Sequence, residues 1–162
     1  LDIDFFKKIN DQHGHLVGDA VLKSIAKTLV HTTRDSDYVT RYGGEEFAIL
    51  LPETDCERAK DAAQRIIKAI RDQPFRDQKL EIPLTISVGV AQVVDLQGPE
   101  ALIAKADEAL YAAKAEGRDR GCYFDGEQIL STLSERSEPP QPAREFHDVC
   151  ADLRTRLMDA TQ

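Results

Sequence analysis

No apolar stretch in this 162-residue chain approaches the roughly 20 residues that a helical membrane span requires. Cysteine is scarce: Cys56, Cys122 and Cys150 are widely spaced and odd in number. They build neither a zinc pattern nor a disulfide framework, which suits a reducing cytoplasm. Positive charge is also short, with 21 Lys and Arg against 29 Asp and Glu, a net charge of −8 and a pI near 5.0. That balance argues against a broad footprint on a nucleic-acid polymer, but not against a single nucleotide, which needs only a few local cations. There is no signal-peptide layout and no internal repeat, and the chain opens on Leu1 rather than Met. It reads as a cytoplasmic piece of a longer polypeptide, one ordinary domain with an appendage.

Leu1–Asp4 looks like the end of a buried strand, and Asn10–Gly18 is turn-rich. A helix follows, with Ala20, Val21, Ile25, Ala26, Leu29 and Val30 at helical spacing. Tyr38–Arg41 and Phe47–Leu51 flank Gly43-Gly44, a hairpin signal, because glycine reaches φ > 0 at no steric cost. Glu57–Arg71 reads as a second helix and Gly98–Glu116 as a third, stopped by Gly117. Leu80–Val94 offers strand material in two pieces, with Leu84, Ile86, Val88 and Val90 on one face. Cys122–Phe124 suggests a last short strand. Residues 1–126 therefore form the domain. Residues 127–144, with Pro139, Pro140 and Pro142, read as a linker, and 145–162 as an amphipathic helix that docks on the domain or pairs with another chain.

The most informative segment is Arg41-Tyr42-Gly43-Gly44-Glu45-Glu46-Phe47. Bare backbone beside two carboxylates offers a place for a metal–phosphate complex, although a solvated turn with two surface glutamates fits the same seven residues. A second cluster, Asp2-Ile3-Asp4-Phe5-Phe6-Lys7-Lys8-Ile9-Asn10-Asp11, puts carboxylates at i and i+2 of a strand end. Magnesium takes hard oxygen ligands, few of them from protein, and the rest from substrate phosphates. A third cluster is Gly14-His15-Leu16-Val17-Gly18-Asp19. Each aspartate alone could be a helix cap or turn residue.

Together these blocks, with Ser-Val-Gly-Val at 87–90 and Ala-Asp-x-Ala-Leu-Tyr-x-Ala-Lys at 106–114, resemble the GGDEF family of bacterial diguanylate cyclases over roughly residues 1–125. The resemblance implies an α+β, palm-like and ferredoxin-like sandwich, an antiparallel-rich central sheet flanked by helices. It implies condensation of two GTP into cyclic di-GMP with release of pyrophosphate, dependent on Mg²⁺ or Mn²⁺ and on a homodimer. By motif match, Asp2, the Ile3 carbonyl, Glu45 and Glu46 correspond to the metal site, Glu45 and Glu46 also being the catalytic carboxylates. Phe5, Phe6 and Lys7 match the phosphate cradle, Asn10 and Asp19 the guanine readers, and Gly43 and Gly44 the bare loop that admits the nucleotide. Lys114 and Arg118 match the cations that hold the triphosphate; otherwise they would only complement a helix C-terminus. Arg34 and Asp37, with Arg65, match an inhibitory site for the product; elsewhere Arg-x-x-Asp is usually a surface salt bridge. His15 belongs to the Gly-His-x-x-Gly turn.

The family's Asp-x-Leu-Thr-Gly-Leu-x-Asn-Arg-Arg segment and most of its first strand are missing from this sequence. The strand is therefore expected to be truncated, and an upstream sensory or dimerising domain is expected in the intact protein. Two other classes compete with the cyclase. A non-catalytic module could sense cyclic di-GMP or GTP, against which the intact Gly-Gly-Glu-Glu-Phe counts. Another palm-fold phosphotransfer enzyme is the third reading, against which Asn10 and Asp19 count.

Overall fold

The computed structural model describes residues 1–77, 80–93 and 98–131. The helix expected at 145–162 and most of the expected linker lie outside the described residues. In chain order the elements are β1 (Asp2–Ile3), α1 (Phe6–His13), α2 (His15–Thr32), β2 (Tyr38–Arg41), β3 (Phe47–Leu50), α3 (Cys56–Arg71), β4 (Phe75–Asp77), β5 (Leu80–Ile82), β6 (Ile86–Ala91), α4 (Pro99–Ala115), β7 (Gly121–Phe124) and β8 (Ile129–Ser131). No described helix is long and apolar enough to cross a membrane.

Strands β1, β6, β7 and β8 are neighbours in that order, β6–β7 parallel and the others antiparallel. The β2–β3 hairpin joins the free side of β1 through an Asp2–Glu46 bridge. Short as it is, β1 is thus bonded on both sides. The α+β class with an antiparallel-rich sheet is what the family resemblance implies. β8 corrects one boundary: Ile129–Ser131 fall in the expected linker, yet they pair with β7. The reversal is built by Asp125, whose carboxylate accepts from the Glu127 and Gln128 amides.

Asn10–Gly18 is helical rather than turn-rich. Only Gly14, at φ 83°, interrupts it, as the junction between α1 and α2. Its Asn, Asp and His residues lie on half-buried or exposed surface, where weak propensity is overridden by packing of Phe6 and Ile9. α3 starts where Asp55 accepts from the Arg58 amide and buries Ala59, Ala63, Ile66, Ile67 and Ile70, the face its periodicity predicts. β6 has no solvent face: besides Ile86, Val88 and Val90, Ser87 is fully buried. α3 and α4 both pack on β6. A largely apolar cavity of about 210 Å³ opens between β3, β6, α3 and α4, with Leu1 at its edge.

Gly89 sets how close α4 lies. A Cβ there would sit 2.0 Å from the Ala106 carbonyl oxygen and 2.4 Å from the Leu110 nitrogen, both backbone atoms that cannot swing aside. Gly89→Ala must push α4 off β6 and is expected to cost about 3 kcal/mol of stability. A urea denaturation midpoint equal to that of the parent would contradict this account of the packing.

Candidate active site

Three segments converge where β1 ends. Asp2 is buried, and its Oδ2 lies 2.9 Å from Lys114 Nζ at the C-terminal end of α4. Across from β1, the Ile3 amide donates to the Glu45 carbonyl (3.3 Å) and the Phe47 amide to the Leu1 carbonyl (3.0 Å). These bonds pin the loop 42–46 against Asp2. The loop closes on itself through the Tyr42 and Gly43 amides, both donating to the Glu46 carbonyl, while Arg41 wraps its guanidinium around the Gly43 and Gly44 carbonyls.

The loop glycines are not there for positive φ, as the hairpin signal predicts: neither adopts it. A loop longer than two residues needs no primed turn. At Gly43 a Cβ would lie 2.7 Å from Glu46 Oε2, the free end of a side chain that can swing aside; at Gly44 a Cβ would meet nothing. The Glu46 side chain thus folds back over Gly43, leaving Glu45 as the loop carboxylate coupled to Asp2. Burial, the charge of Asp2 and that of Glu46 hold the Glu45 carboxyl above its ordinary pKa, with Lys114 pulling the other way.

No group of three His, Cys, Asp or Glu side chains is pre-gathered as a metal site among the described residues. The donor set nevertheless fits magnesium, which uses one or two protein carboxylates and completes its shell with phosphate and water. Asp2 and Glu45 carry such oxygens, and Lys114 is ion-paired with Asp2.

Asp4 takes a different part from Asp2. It is buried and accepts from Thr85 Oγ1 (2.8 Å), Ser87 Oγ (2.7 Å) and the Asp119 amide (3.0 Å). The i, i+2 pattern places both carboxylates in one place; it does not reveal that the second is consumed as an anchor. Phe5, next in the chain, is left-handed (φ 57°) and exposed, and the Arg118 guanidinium stacks 4.8 Å from its ring centroid. Phe6 is buried; Lys7 is exposed and ion-paired with Asp11 at 2.7 Å.

α1 and α2 touch at Gly18, which places Asn10 against the residue that precedes Asp19. A Cβ on Gly18 would fall 1.9 Å from Asn10 Oδ1, so only glycine leaves room for that amide one residue from Asp19. His15 is exposed and opens α2.

Arg34 and Asp37 lie elsewhere, at the far end of β2. Their turn is closed twice, by Arg34 N donating to Asp37 Oδ2 (2.8 Å) and Asp37 N donating to the Arg34 carbonyl (3.0 Å). Arg65 on α3 donates to the Thr32 carbonyl at the end of α2, which brings its guanidinium to the same region.

Residues 1–120 match the family described as "Diguanylate cyclase, GGDEF domain". The chain belongs to the GGDEF family. Among GGDEF proteins it is 42% identical over 121 residues to "Diguanylate cyclase A" of Treponema denticola, covering 74% of this chain and 33% of that one. The solved diguanylate cyclase SiaD of Pseudomonas aeruginosa, in complex with its activator SiaC, superposes with a TM-score of 0.73 at 36% identity, covering 76% of this chain and 47% of that one. DgcB of Caulobacter crescentus, a coiled coil and GGDEF domain in complex with c-di-GMP, gives 0.71 at 28% identity, covering 76% and 66%. This chain spans less than half the length of the curated GGDEF relatives it matches.

Glu45 binds its proton more tightly in the folded chain than in the unfolded one. Between the ordinary glutamate pKa and the raised one the native state binds more protons than the unfolded state, so stability falls as pH rises through that window. Glu45→Gln removes the penalty. In chelator it is expected to melt higher than the parent at pH 7, with the gain disappearing by about pH 4. A lower melting temperature at pH 7 would overturn the electrostatic account.

Proposed function

We propose that this domain is the catalytic part of a diguanylate cyclase, joining two GTP into cyclic di-GMP. The observation that carries the reading is the meeting of Asp2, the Glu45–Glu46 loop and Lys114, from three distant parts of the chain, beside the left-handed Phe5. In this reading Asp2, Glu45 and the Ile3 carbonyl would hold Mg²⁺ or Mn²⁺, with Glu46 as a further ligand or as acceptor of the hydroxyl proton. The ion, when bound, neutralises phosphate charge and lowers the barrier to in-line attack.

The amides around Phe5, Phe6 and Lys7 cradle the phosphates, and Lys114 and Arg118 balance their charge. Asn10 and Asp19 read guanine: a carboxylate accepts from its N1–H and exocyclic amine, an edge that adenine lacks. The bare backbone at Gly43 and Gly44 lets the nucleotide lie close. The 3′-hydroxyl of one GTP attacks the α-phosphorus of the other, the anhydride bond to the β-phosphate breaks and pyrophosphate leaves. A second, symmetric step closes the ring. Each domain holds one GTP, so a homodimer brings the two together, and positioning supplies much of the rate. An upstream domain that controls this meeting fits the length of the relatives, and the cytoplasm supplies the GTP. The product binds back at Arg34, Asp37 and Arg65, where two guanidiniums suit phosphate and guanine edges.

The full-length protein with GTP and Mg²⁺ is expected to release cyclic di-GMP, and Glu45→Ala to lower the rate by about 10³-fold, the equivalent of several kcal/mol of transition-state charge stabilisation. Robust synthesis in Glu45→Ala would sink the assignment. Separately, calorimetry should detect cyclic di-GMP binding that disappears in Arg34→Ala; retained affinity would remove the inhibitory site from the proposal.

A further inference from the structure

The turn after α4 is held in a conformation that its own residues do not favour. Gly117, Arg118 and Asp119 all have positive φ, at 116°, 66° and 50°. Two successive non-glycine residues there persist only where the surroundings over-determine them. Two residues outside the metal and base-reading clusters do so. Arg71, in the last turn of α3, donates from Nε to both carboxylate oxygens of Asp119 (3.0 and 2.7 Å) and from Nη2 to its carbonyl (3.0 Å). From the other side Asp4, itself fixed by Thr85 and Ser87, accepts the Asp119 amide. The Arg118 amide adds a bond to the Ala113 carbonyl at the end of α4 (3.0 Å). Between these grips Arg118 projects its guanidinium over Phe5.

We propose that Arg71 and Asp119 are positioning residues for nucleotide binding: their clamp, Nε on the carboxylate and Nη2 on the backbone carbonyl, aims Arg118 at the phosphate cradle. The inference rests on the cyclase reading and extends it to two residues that touch no substrate. Ending the helix does not require this clamp, since Gly117 already does so. A guanidinium against a carboxylate is the pairing that fixes direction as well as distance. Without it Arg118 keeps its charge but loses its aim, and each orientation it must recover on binding lowers affinity.

The test uses the full-length protein, Mg²⁺ and a GTP analogue with a methylene bridge between the α- and β-phosphorus, which binds without turnover, titrated by calorimetry. Arg118→Ala is expected to weaken binding about tenfold, the loss of one charge-assisted contact. Arg71→Ala and Asp119→Gly should each weaken it about fivefold. Glycine accepts the positive φ, so Asp119→Gly removes the carboxylate that Arg71 Nε grips, leaving only the Nη2 bond to the backbone carbonyl, without straining the fold. Asp119→Asn, which keeps an acceptor and tolerates the left-handed region, should stay within about twofold of the parent. In an Arg118→Ala background, Arg71→Ala should cause no further loss, because both act through one side chain. A general structural role would instead add in full. Parental affinity in Arg71→Ala and Asp119→Gly beside a weakened Arg118→Ala, or full additivity in the double variant, overturns the positioning role alone. Parental affinity in Arg118→Ala overturns the phosphate role of that arginine and the clamp with it.

Discussion

Asp2 and Ile3 hydrogen-bond to a different partner on each side, and the site depends on that double pairing. On one edge they register with Ser87 and Ile86 of β6; on the other the backbone bridges to Glu46 and bonds Glu45. Backbone pairing at strand spacing brings the two carboxylate-bearing segments to about 5 Å of each other without any side-chain contact. Ile3, fully buried, anchors the pair, and the close approach of α4 at Gly89 brings Lys114 to Asp2. Movement of any one of these backbones would move a charge.

The gathered carboxylates are poised electrostatically. Burial and the neighbouring charge of Asp2 oppose ionisation of Glu45, and Lys114 pulls the other way. Asp4 shows the contrasting use of a buried carboxylate. Surrounded by three donors, it needs no ion and acts as a fixed post for the turn that carries Arg118.

The hairpin, α3 and its buried face, α4 with its glycine stop, and the strands near 86–91 and 121–124 were legible because periodicity and punctuation are local. Asn10–Gly18 misled for the same reason: its residue types favour turns, and only the docking of Phe6 and Ile9 makes them helical. β4, at Phe75–Asp77, escaped notice because three residues carry no pattern. The short motifs marked Asp2, Glu45 and Glu46, and Lys114, and the fold brings Lys114 and the Glu45–Glu46 loop to Asp2.

By itself the sequence determined which residue types stand ready and in which elements: carboxylates at a strand end and a loop, small residues where backbones approach, cations at the end of a helix. Only the tertiary structure decided their division of labour. Asp4 and Asp2 are two positions apart and look alike, yet one anchors a loop and the other faces Lys114. Gly43 and Gly44 resemble turn glycines yet neither adopts a positive φ, and nothing near Arg71 in the chain points to Asp119. Periodicity and turn chemistry act over a few residues, whereas the bonds that settle these roles join positions 48 and 115 residues apart.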